Sequence, residues 1–225
     1  MKDSNVFFLI PARGGSKGIP RKNLQKVGGI PLVARSIAAA KEAAISDAIF
    51  VTTDDPEIGR LSLSCGAEVI QRPPELSLDT SPSEDAISHF LDATGTRIGT
   101  LVMIQPTSAF IAGSDLRMLV ATCQTFDTAL TVTASHSFLW RSGSDGSLTG
   151  VNHDSSVRHR RQDLVNREFV ENGAAYGMSI EGFRQHRHRF FGRIGFVEMP
   201  QLRSLEIDSP EDLDLANTIC ATLKA

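Results

Sequence analysis

The sequence has few cysteines and no long apolar run, and these absences exclude several classes of protein. Its 225 residues include only Cys65, Cys123 and Cys220, whose odd number and wide spacing fit neither a disulfide framework nor a zinc site. No stretch approaches the ~18 consecutive apolar residues that define a transmembrane helix candidate. The apolar run Val6–Ile10 is too short for the hydrophobic part of a signal peptide. We therefore expect a cytoplasmic protein.

Acidic residues are missing from the N-terminal part of a chain that is slightly acidic overall. The net charge of −3 argues against general binding to nucleic acid or to a membrane surface. Between Ser4 and Lys41 there is no Asp or Glu. The cations of the same stretch are Arg13, Lys17, Arg21, Lys22, Lys26, Arg35 and Lys41. Their concentration near the first loop predicts a small anionic ligand there.

Apolar runs of strand length alternate with helical patterns through most of the chain. The predicted strands span residues 6–10, 49–53, 68–70, 101–104, 129–133, 174–178 and 194–199. The predicted helices span residues 31–44, 56–64, 83–94, 114–125, 181–188 and 210–223. This alternation indicates βαβ units. We predict a three-layer α/β domain with a mostly parallel sheet.

The alternation is interrupted between Ser135 and Glu171, a stretch rich in Ser, Gly, Arg and His. Within it, Asp145-Gly146 predicts a hairpin turn. We interpret the chain as one domain, residues 1–225. Residues 135–171 form either a loop excursion or an arm that packs on another subunit.

Polar clusters follow three of the predicted strands directly, at residues 11–23, 54–55 and 105–108. In parallel sheets, ligands bind at the carboxyl ends of the strands, so these clusters are expected to share one site. Asp54-Asp55 admits two interpretations. The pair is either a metal site or, through Asp55, the cap of the next helix.

The loop from Pro11 to Asn23 carries the strongest chemical signal. Its glycines, Gly14, Gly15 and Gly18, let the backbone approach a ligand closely, and successive N–H groups can form an anion-binding nest. The cations of the same loop suit a polyphosphate. The spacing is not that of a Walker A motif.

Later segments match the motifs of one enzyme family in the correct order. They are Arg72-Pro73-Pro74-Glu75-Leu76 with Asp79-Thr80, Gln105-Pro106-Thr107-Ser108, Arg161-Gln162-Asp163, Glu171-Asn172-Gly173-Ala174 and Ile207-Asp208-Ser209-Pro210-Glu211-Asp212. Together with the loop they resemble the CMP-sialic acid synthetase (acylneuraminate cytidylyltransferase) family. The resemblance covers about residues 6–220 and implies a fold like that of the nucleotide-diphospho-sugar transferases.

The resemblance assigns a role to individual residues. It implies nucleotide binding by Ala12, Arg13, Gly14, Gly15, Lys17, Lys22, Asn23, Arg72 and Ser83. It implies sugar binding by Gln105, Thr107, Ser108, Arg161 and Asn172. The catalytic residues that it implies are Arg13, Lys17, Lys22 and Asp208. The resemblance also implies that Asp208 and Glu206 hold Mg²⁺ or another divalent cation. At the position of Glu206 the family commonly has Asp.

The resemblance further implies an enzyme that couples a nine-carbon 2-keto sugar acid (a nonulosonic acid) to CTP and releases pyrophosphate. It implies a homodimer joined through the 135–171 arm, with Arg160, Arg161 or Arg167 near the pocket of the other subunit. Two alternatives stay open. One is a related nucleotidyltransferase for an eight-carbon acid or another nucleotide such as GTP, and the other is a non-catalytic nucleotide-binding module.

Two apolar residues depart from the family pattern on the sugar side. Ile111 and Val170 stand where sialic acid enzymes often present Arg. An apolar wall favours methyl or acyl groups over hydroxyls, so we expect a preference for a deoxygenated acid such as legionaminate or pseudaminate over N-acetylneuraminate. The contact to the substrate carboxylate is left open among Arg141, Arg161 and Arg167.

Overall fold

The computed structural model describes residues 5–157, 160 and 167–224, with side chains up to residue 222. In chain order the strands are β1 (Val6–Pro11), β2 (Lys26–Val27), β3 (Ile30–Pro31), β4 (Ile49–Thr53), β5 (Glu68–Gln71), β6 (Thr100–Ile104), β7 (Thr128–Ser135), β8 (Trp140–Ser142), β9 (Leu148–Gly150), β10 (Glu168–Ser179) and β11 (Ile194–Glu198). The helices are α1 (Leu32–Ala43), α2 (Pro56–Ser64), α3 (Ser83–Thr94), α4 (Gly113–Thr122), α5 (Ile180–His186) and α6 (Pro210–Lys224).

Seven strands form the central sheet in the order β11-β7-β10-β6-β1-β4-β5. Strand β10 runs antiparallel to both of its neighbours, β6 and β7, whereas the other pairs are parallel. The prediction of a mostly parallel α/β sheet is confirmed. Because β1, β4 and β6 are adjacent and parallel, the loops that follow them meet at one edge of the sheet.

Apolar side chains cover both faces of the sheet, as three layers require. On one face, Phe8 and Ile10 of β1 belong to a buried cluster with Ile37 of α1 and Leu116 of α4. On the other face, Leu9 clusters with residues of α3 and α5 such as Phe90 and Phe183. The continuous apolar run of β1 follows from this burial on both sides.

The arm region differs in part from its prediction. Residues 168–171, assigned to the arm from the sequence, lie in the central sheet as the start of β10, and Ser135 ends β7. A register shift between Glu171 and Tyr176 separates the two parts of β10 that pair with β7. The predicted hairpin turn at Asp145-Gly146 is confirmed, since it joins β8 and β9 and Gly146 has a φ of +81°.

The two interpretations of Asp54-Asp55 are resolved for Asp55. Its carboxylate accepts hydrogen bonds from the backbone N–H groups of Glu57 (2.7 Å) and Ile58 (3.0 Å), which makes it the N-cap of α2. No helix in the part of the chain that the structure describes is long and apolar enough to cross a membrane.

A buried ion pair fixes the segment between β11 and α6. Asp115 of α4 is fully buried and accepts hydrogen bonds from both terminal nitrogens of Arg203, one of them at 2.9 Å. The Asp115 carboxylate also accepts a hydrogen bond of 2.9 Å from the backbone N–H of Ala112, the N-cap residue of α4. Since Arg203 precedes Glu206 and Asp208 by a few residues, this pair positions both carboxylates against the body of the domain.

We expect Arg203→Met to lower the free energy of unfolding by about 2–4 kcal/mol, because the buried charge of Asp115 is left without its partner. Urea unfolding followed by circular dichroism measures the loss. The matched control is Arg167→Met, which removes the exposed pair with Glu198 and is expected to cost at most about 1 kcal/mol. Equal losses in the two variants would contradict the assignment.

Candidate functional site

A cavity of about 180 Å³ opens at the carboxyl edge of the sheet, after β1 and β6. It is lined by Pro11, Arg13, Gly15, Ser16, Lys22, Asn23, Arg72, Leu76, Leu78, Ser81, Pro82, Ser83, Gln105, Pro106 and Thr107. Its volume is below the roughly 300–1,000 Å³ of typical ligand pockets. The lining is mostly polar and cationic, as the binding of a small anion requires.

The glycine-rich loop begins as a continuation of the sheet and is held by neighbouring acids. Ala12 is buried, and its N–H bonds to the β4 carbonyl of Thr52 at 3.0 Å. Next along the chain, the N–H of Gly14 donates to Oδ1 of Asp54 at 2.9 Å. A Cβ on Gly14 would lie only 2.8 Å from the Cβ of Asp55. The backbone of the glycine-rich loop is therefore in contact with the Asp55 side chain in the loop after β4.

Two aspartates from distant parts of the chain form ion pairs with three cations of the loop. The carboxylate of Asp79 contacts Nη2 of Arg13 at 2.7 Å and Nζ of Lys17 at 3.3 Å. Asp208 contacts Nζ of Lys22 at 2.8 Å. All three cations to which the sequence assigned phosphate binding are therefore gathered here, each beside a carboxylate.

Arg72 presents a buried guanidinium to the cavity. The residue is only 5% exposed, and its Nε and Nη2 have no hydrogen-bond partner among the residues that the structure describes. Burial lowers the pKa of Arg72, the charge of Asp54 opposes that change, and Arg13 reinforces it. A buried cation with free donors is costly unless a ligand or solvent supplies acceptors.

The segment after β6 also lines the cavity, through Gln105, Pro106 and Thr107. The Thr107 hydroxyl donates to Oε1 of Glu206 at 3.3 Å, and the Thr107 carbonyl accepts from the N–H of Ile207 at 3.0 Å. Ser108 is 2% exposed, and its hydroxyl has no partner in the described part of the chain. The 105–108 and 206–208 segments are thus bonded to each other beside the glycine-rich loop.

Glu206 and Asp208 offer two carboxylates to a cation. Burial raises the pKa of Glu206, and the negative charge of Asp208 adds to this effect. Within residues 5–157, 160 and 167–224, no group of three or more His, Cys, Asp or Glu side chains is arranged to hold a metal. Two carboxylates fit Mg²⁺, which usually takes one or two from the protein and completes its shell with water and phosphate.

The structure brings many of the residues named from the sequence to one cavity, and leaves others outside it. Those that line it are Arg13, Gly15, Lys22, Asn23, Arg72, Ser83, Gln105 and Thr107. Ala12, Gly14, Lys17 and Ser108 do not line it, although Asp79 joins Lys17 to the lining residue Arg13. Glu206 and Asp208 contact the lining residues Thr107 and Lys22. Arg161 lies outside the described residues.

Asn172, named as a sugar ligand, is turned toward the protein interior. It is 5% exposed, accepts from the Thr131 hydroxyl at 2.7 Å, and donates to the Ser204 hydroxyl at 3.1 Å. Its amide therefore joins the irregular part of β10 to β7 and to the 204–208 segment. Gly173 beside it has a φ of +66° and packs against the Glu206 carboxylate.

Sequence reasoning placed Pro73–Leu76, Asp79 and Thr80 among the family motifs but assigned none of them a role. We call residues 73–82 the strap; its Leu76, Leu78, Ser81 and Pro82 line the cavity, and Asp79 pairs with two cations. The available signal was position: the strap follows Arg72 and precedes Ser83, both of which had been assigned to the nucleotide.

Neither residue of the predicted apolar wall lines the cavity described above. Ile111 is 7% exposed and belongs to the buried core cluster. Val170 is half exposed and lines a separate cavity with residues such as Thr133 and Leu202. The preference for a deoxygenated acid stays a prediction.

The fold and the site together define an α/β protein that gathers cations for an anion at the carboxyl edge of a mostly parallel sheet. A family model described as cytidylyltransferase matches residues 7–220, and the chain belongs to this family. The resemblance noted in the sequence is confirmed. Because the match spans nearly the whole chain, it includes every segment of the site.

Relatives carry the name N-acylneuraminate cytidylyltransferase. One from Oncorhynchus mykiss is 35% identical over 96% of this chain, N-acylneuraminate cytidylyltransferase A from Danio rerio is 34% identical over 96%, and one from Escherichia coli O18:K1:H7 is 32% identical over 96%. The alignments cover 51%, 50% and 52% of those proteins, so the chain spans about half the length of the curated relatives it matches.

Solved structures share the fold at low sequence identity. A CMP:2-keto-3-deoxy-manno-octonic acid synthetase complexed with CTP has a TM-score of 0.73 and 17% identity, over 98% of this chain and 100% of that one. A 4-diphosphocytidyl-2C-methyl-D-erythritol synthase from Anaerococcus prevotii has a TM-score of 0.70 and 13% identity, over 98% and 96%. The predicted nucleotidyltransferase-like fold is confirmed.

Gly18→Ala is expected to destabilise the protein, because an added Cβ would overlap the backbone carbonyl of Asp208. We expect a loss of about 1–3 kcal/mol from the forced backbone shift. Thermal unfolding without ligand measures it. The control is Gly15→Ala, since a Cβ there meets nothing within 4 Å. If both variants melt with the wild type, the close approach of the loop to Asp208 is not a structural requirement.

Proposed function

We propose that the protein activates a nonulosonic acid by coupling it to CTP, with release of pyrophosphate. The observation that carries the proposal is the buried guanidinium of Arg72, whose Nε and Nη2 have no hydrogen-bond partner among the described residues and which lines the same cavity as the glycine-rich loop. Membership of the cytidylyltransferase family and the names of the relatives support CTP and an N-acylneuraminate-type acid as substrates.

In the proposed reaction, the anomeric hydroxyl of the sugar acid attacks the α-phosphorus of CTP. The new C–O–P link forms as the bond between the α-phosphorus and the bridging oxygen breaks, the hydroxyl proton passes to solvent, and pyrophosphate leaves in line. Arg13 and Lys22 would contact the α-phosphate, and Lys17 would contact the leaving pyrophosphate. Their chief effect would be the stabilisation of charge that develops in the transition state.

We assign the nucleoside to Arg72, Asn23 and Ser83, and the sugar acid to Gln105, Thr107 and Ser108. The first three line the cavity together with strap residues such as Leu76, and Gln105 and Thr107 line it as well. Ser108 does not line the cavity, and its assignment rests on its place next to Thr107 in the family motif. Arg141, Arg161 and Arg167 remain the candidates for the carboxylate of the acid.

Glu206 and Asp208 are proposed to hold Mg²⁺ or another divalent cation. Such an ion would neutralise charge on the phosphates of the nucleotide. The Lys22 ammonium, 2.8 Å from Oδ1 of Asp208, would keep that carboxylate beside the loop. Two adjacent carboxylates, one of them with a raised pKa, support the assignment because a cation would relieve their repulsion.

We also propose a cytoplasmic homodimer joined through residues 135–171, with Arg160, Arg161 or Arg167 near the pocket of the other subunit. The exposed apolar side chains of the β8–β9 hairpin support it: Leu139, Trp140 and Leu148 are each 47–60% exposed. Light scattering at micromolar concentration tests the assembly. A strict monomer would remove the dimer from the proposal.

The reaction is tested by pyrophosphate release with a panel of substrates. N-acetylneuraminate, legionaminate, pseudaminate and the eight-carbon acid are each supplied with CTP and Mg²⁺, and GTP replaces CTP in a parallel series. Turnover with CTP and a nine-carbon acid is the expected result. Preference for the eight-carbon acid or for GTP would favour the related nucleotidyltransferase, and CTP binding without turnover would favour a binding module.

Asp208→Asn is expected to lower kcat by two orders of magnitude or more, since the loss of a key electrostatic group costs about 3 kcal/mol. Pyrophosphate release at saturating CTP and Mg²⁺ measures the effect. Asp214→Asn removes an equal charge from the exposed face of α6 and serves as the control. Near-normal turnover of the Asp208 variant would exclude it as a metal ligand.

A further inference from the structure

Asp79 occupies the place where the triphosphate is proposed to bind. Its two carboxylate oxygens contact different cations, Oδ1 with Arg13 at 2.7 Å and Oδ2 with Lys17 at 3.3 Å. Both cations belong to the glycine-rich loop, whereas Asp79 comes from the strap, more than sixty residues away in the sequence. One carboxylate thus bridges two cations in the way that a phosphate would.

We propose that Asp79 is a displaceable counter-anion, which the polyphosphate must replace on Arg13 and Lys17 and which competes with pyrophosphate for the same two cations. This rests on the proposed function for its ligand, though the competition itself concerns any polyphosphate. Asp79 would therefore weaken the binding of CTP and of pyrophosphate, and so favour release of the product.

The surroundings of the contact allow such an exchange. The Lys17 side chain is 81% exposed and that of Asp79 is 36% exposed, so neither group is left in a dry interior when they separate. Exposed ion pairs contribute little net stability. Burial acts to raise the pKa of Asp79, but the hydrogen bonds from Lys17 and Arg13 outweigh it and keep the pKa low.

The strap keeps its shape through bonds that do not involve the Asp79 side chain. The N–H of Leu78 donates to the Ser81 hydroxyl at 3.2 Å, and that hydroxyl donates to the carbonyl of Glu75 at 3.4 Å. The backbone N–H groups of Leu76 and Ser77 bond to Pro73 and Pro74. Rotation of the Asp79 side chain would therefore break both ion pairs without unfolding the strap, and Arg13 would keep only its weaker bond of 3.4 Å to the Ser77 carbonyl.

A polyphosphate has the means to displace a single carboxylate. Asp79 carries one negative charge against two cations, and it cannot neutralise both. A terminal phosphate carries more charge and more acceptor oxygens, each of which can form charge-assisted hydrogen bonds. The strap that carries Asp79 also contributes Leu76, Leu78 and Ser81 to the wall of the cavity, so the contact lies beside the proposed nucleotide site.

The alternative role for Asp79 is to preorganise Arg13 and Lys17 for phosphate. In that case, removal of the Asp79 carboxylate weakens the binding of phosphate. The sign of the change in affinity therefore distinguishes a competitor from a positioning residue.

The experiment is a calorimetric titration of inorganic pyrophosphate, without metal, into the wild type, Asp79→Asn and Glu75→Gln. Glu75→Gln removes the same charge from the same strap, and the Glu75 side chain forms no ion pair within the described residues. We expect Asp79→Asn to lower the Kd by about three- to tenfold, the range of a weak ion pair with two partners. Glu75→Gln is expected to match the wild type.

Other outcomes overturn the inference or separate it from the proposed function. An unchanged or raised Kd for Asp79→Asn refutes competition, and an equal gain in Glu75→Gln attributes the effect to net charge. If the wild type converts CTP and a sugar acid while Asp79→Asn binds no tighter, the inference alone fails. If no sugar acid is activated but Asp79→Asn binds pyrophosphate more tightly, the proposed function alone fails.

Discussion

The concentration of positive charge at the carboxyl edge of the sheet is the constraint on which the site depends. Arg13, Lys22 and Arg72 all line one small cavity, and like charges in a partly buried region repel strongly. The chain contains this repulsion by bringing aspartates from remote segments to the same place. Asp79 and Asp208 contact the loop cations directly, so the resting site is held together by the same attraction that an anionic ligand would use.

That attraction acts at close range only because the backbones approach each other. Gly18 lets the loop pass directly against the carbonyl of Asp208, and the Arg203–Asp115 pair holds the same terminal segment to α4. The first and last parts of the chain are therefore joined at the cavity. A loop near residue 15 and a carboxylate near residue 208 form one site because β1 is central in the sheet and α6 follows directly from the carboxylate segment.

Most of the fold could be predicted from the sequence, because buried strands and amphipathic helices leave periodic patterns and glycine-rich loops are local. The orientation of β10 could not, since an apolar run does not show whether its neighbours are parallel. Asn172 sits in a recognisable motif, yet its amide bonds to Thr131 and Ser204 within the protein. Ile111 was assigned to the ligand by alignment to a pattern, whereas its burial depends on contacts with other elements that no local motif encodes.

The buried guanidinium of Arg72 shows how the same charges link stability to binding. Burial without hydrogen bonds disfavours the charged form of a side chain, and this desolvation cost lowers the pKa of Arg72. The negative charge of nearby Asp54 offsets this desolvation cost in part. The same carboxylate also accepts a hydrogen bond from the Gly14 N–H. Acceptors brought to Nε and Nη2 by an anion would lower this cost, because a buried cation is stable only when its donors are bonded. The burial of Arg72 therefore favours anion binding independently of the shape of the cavity.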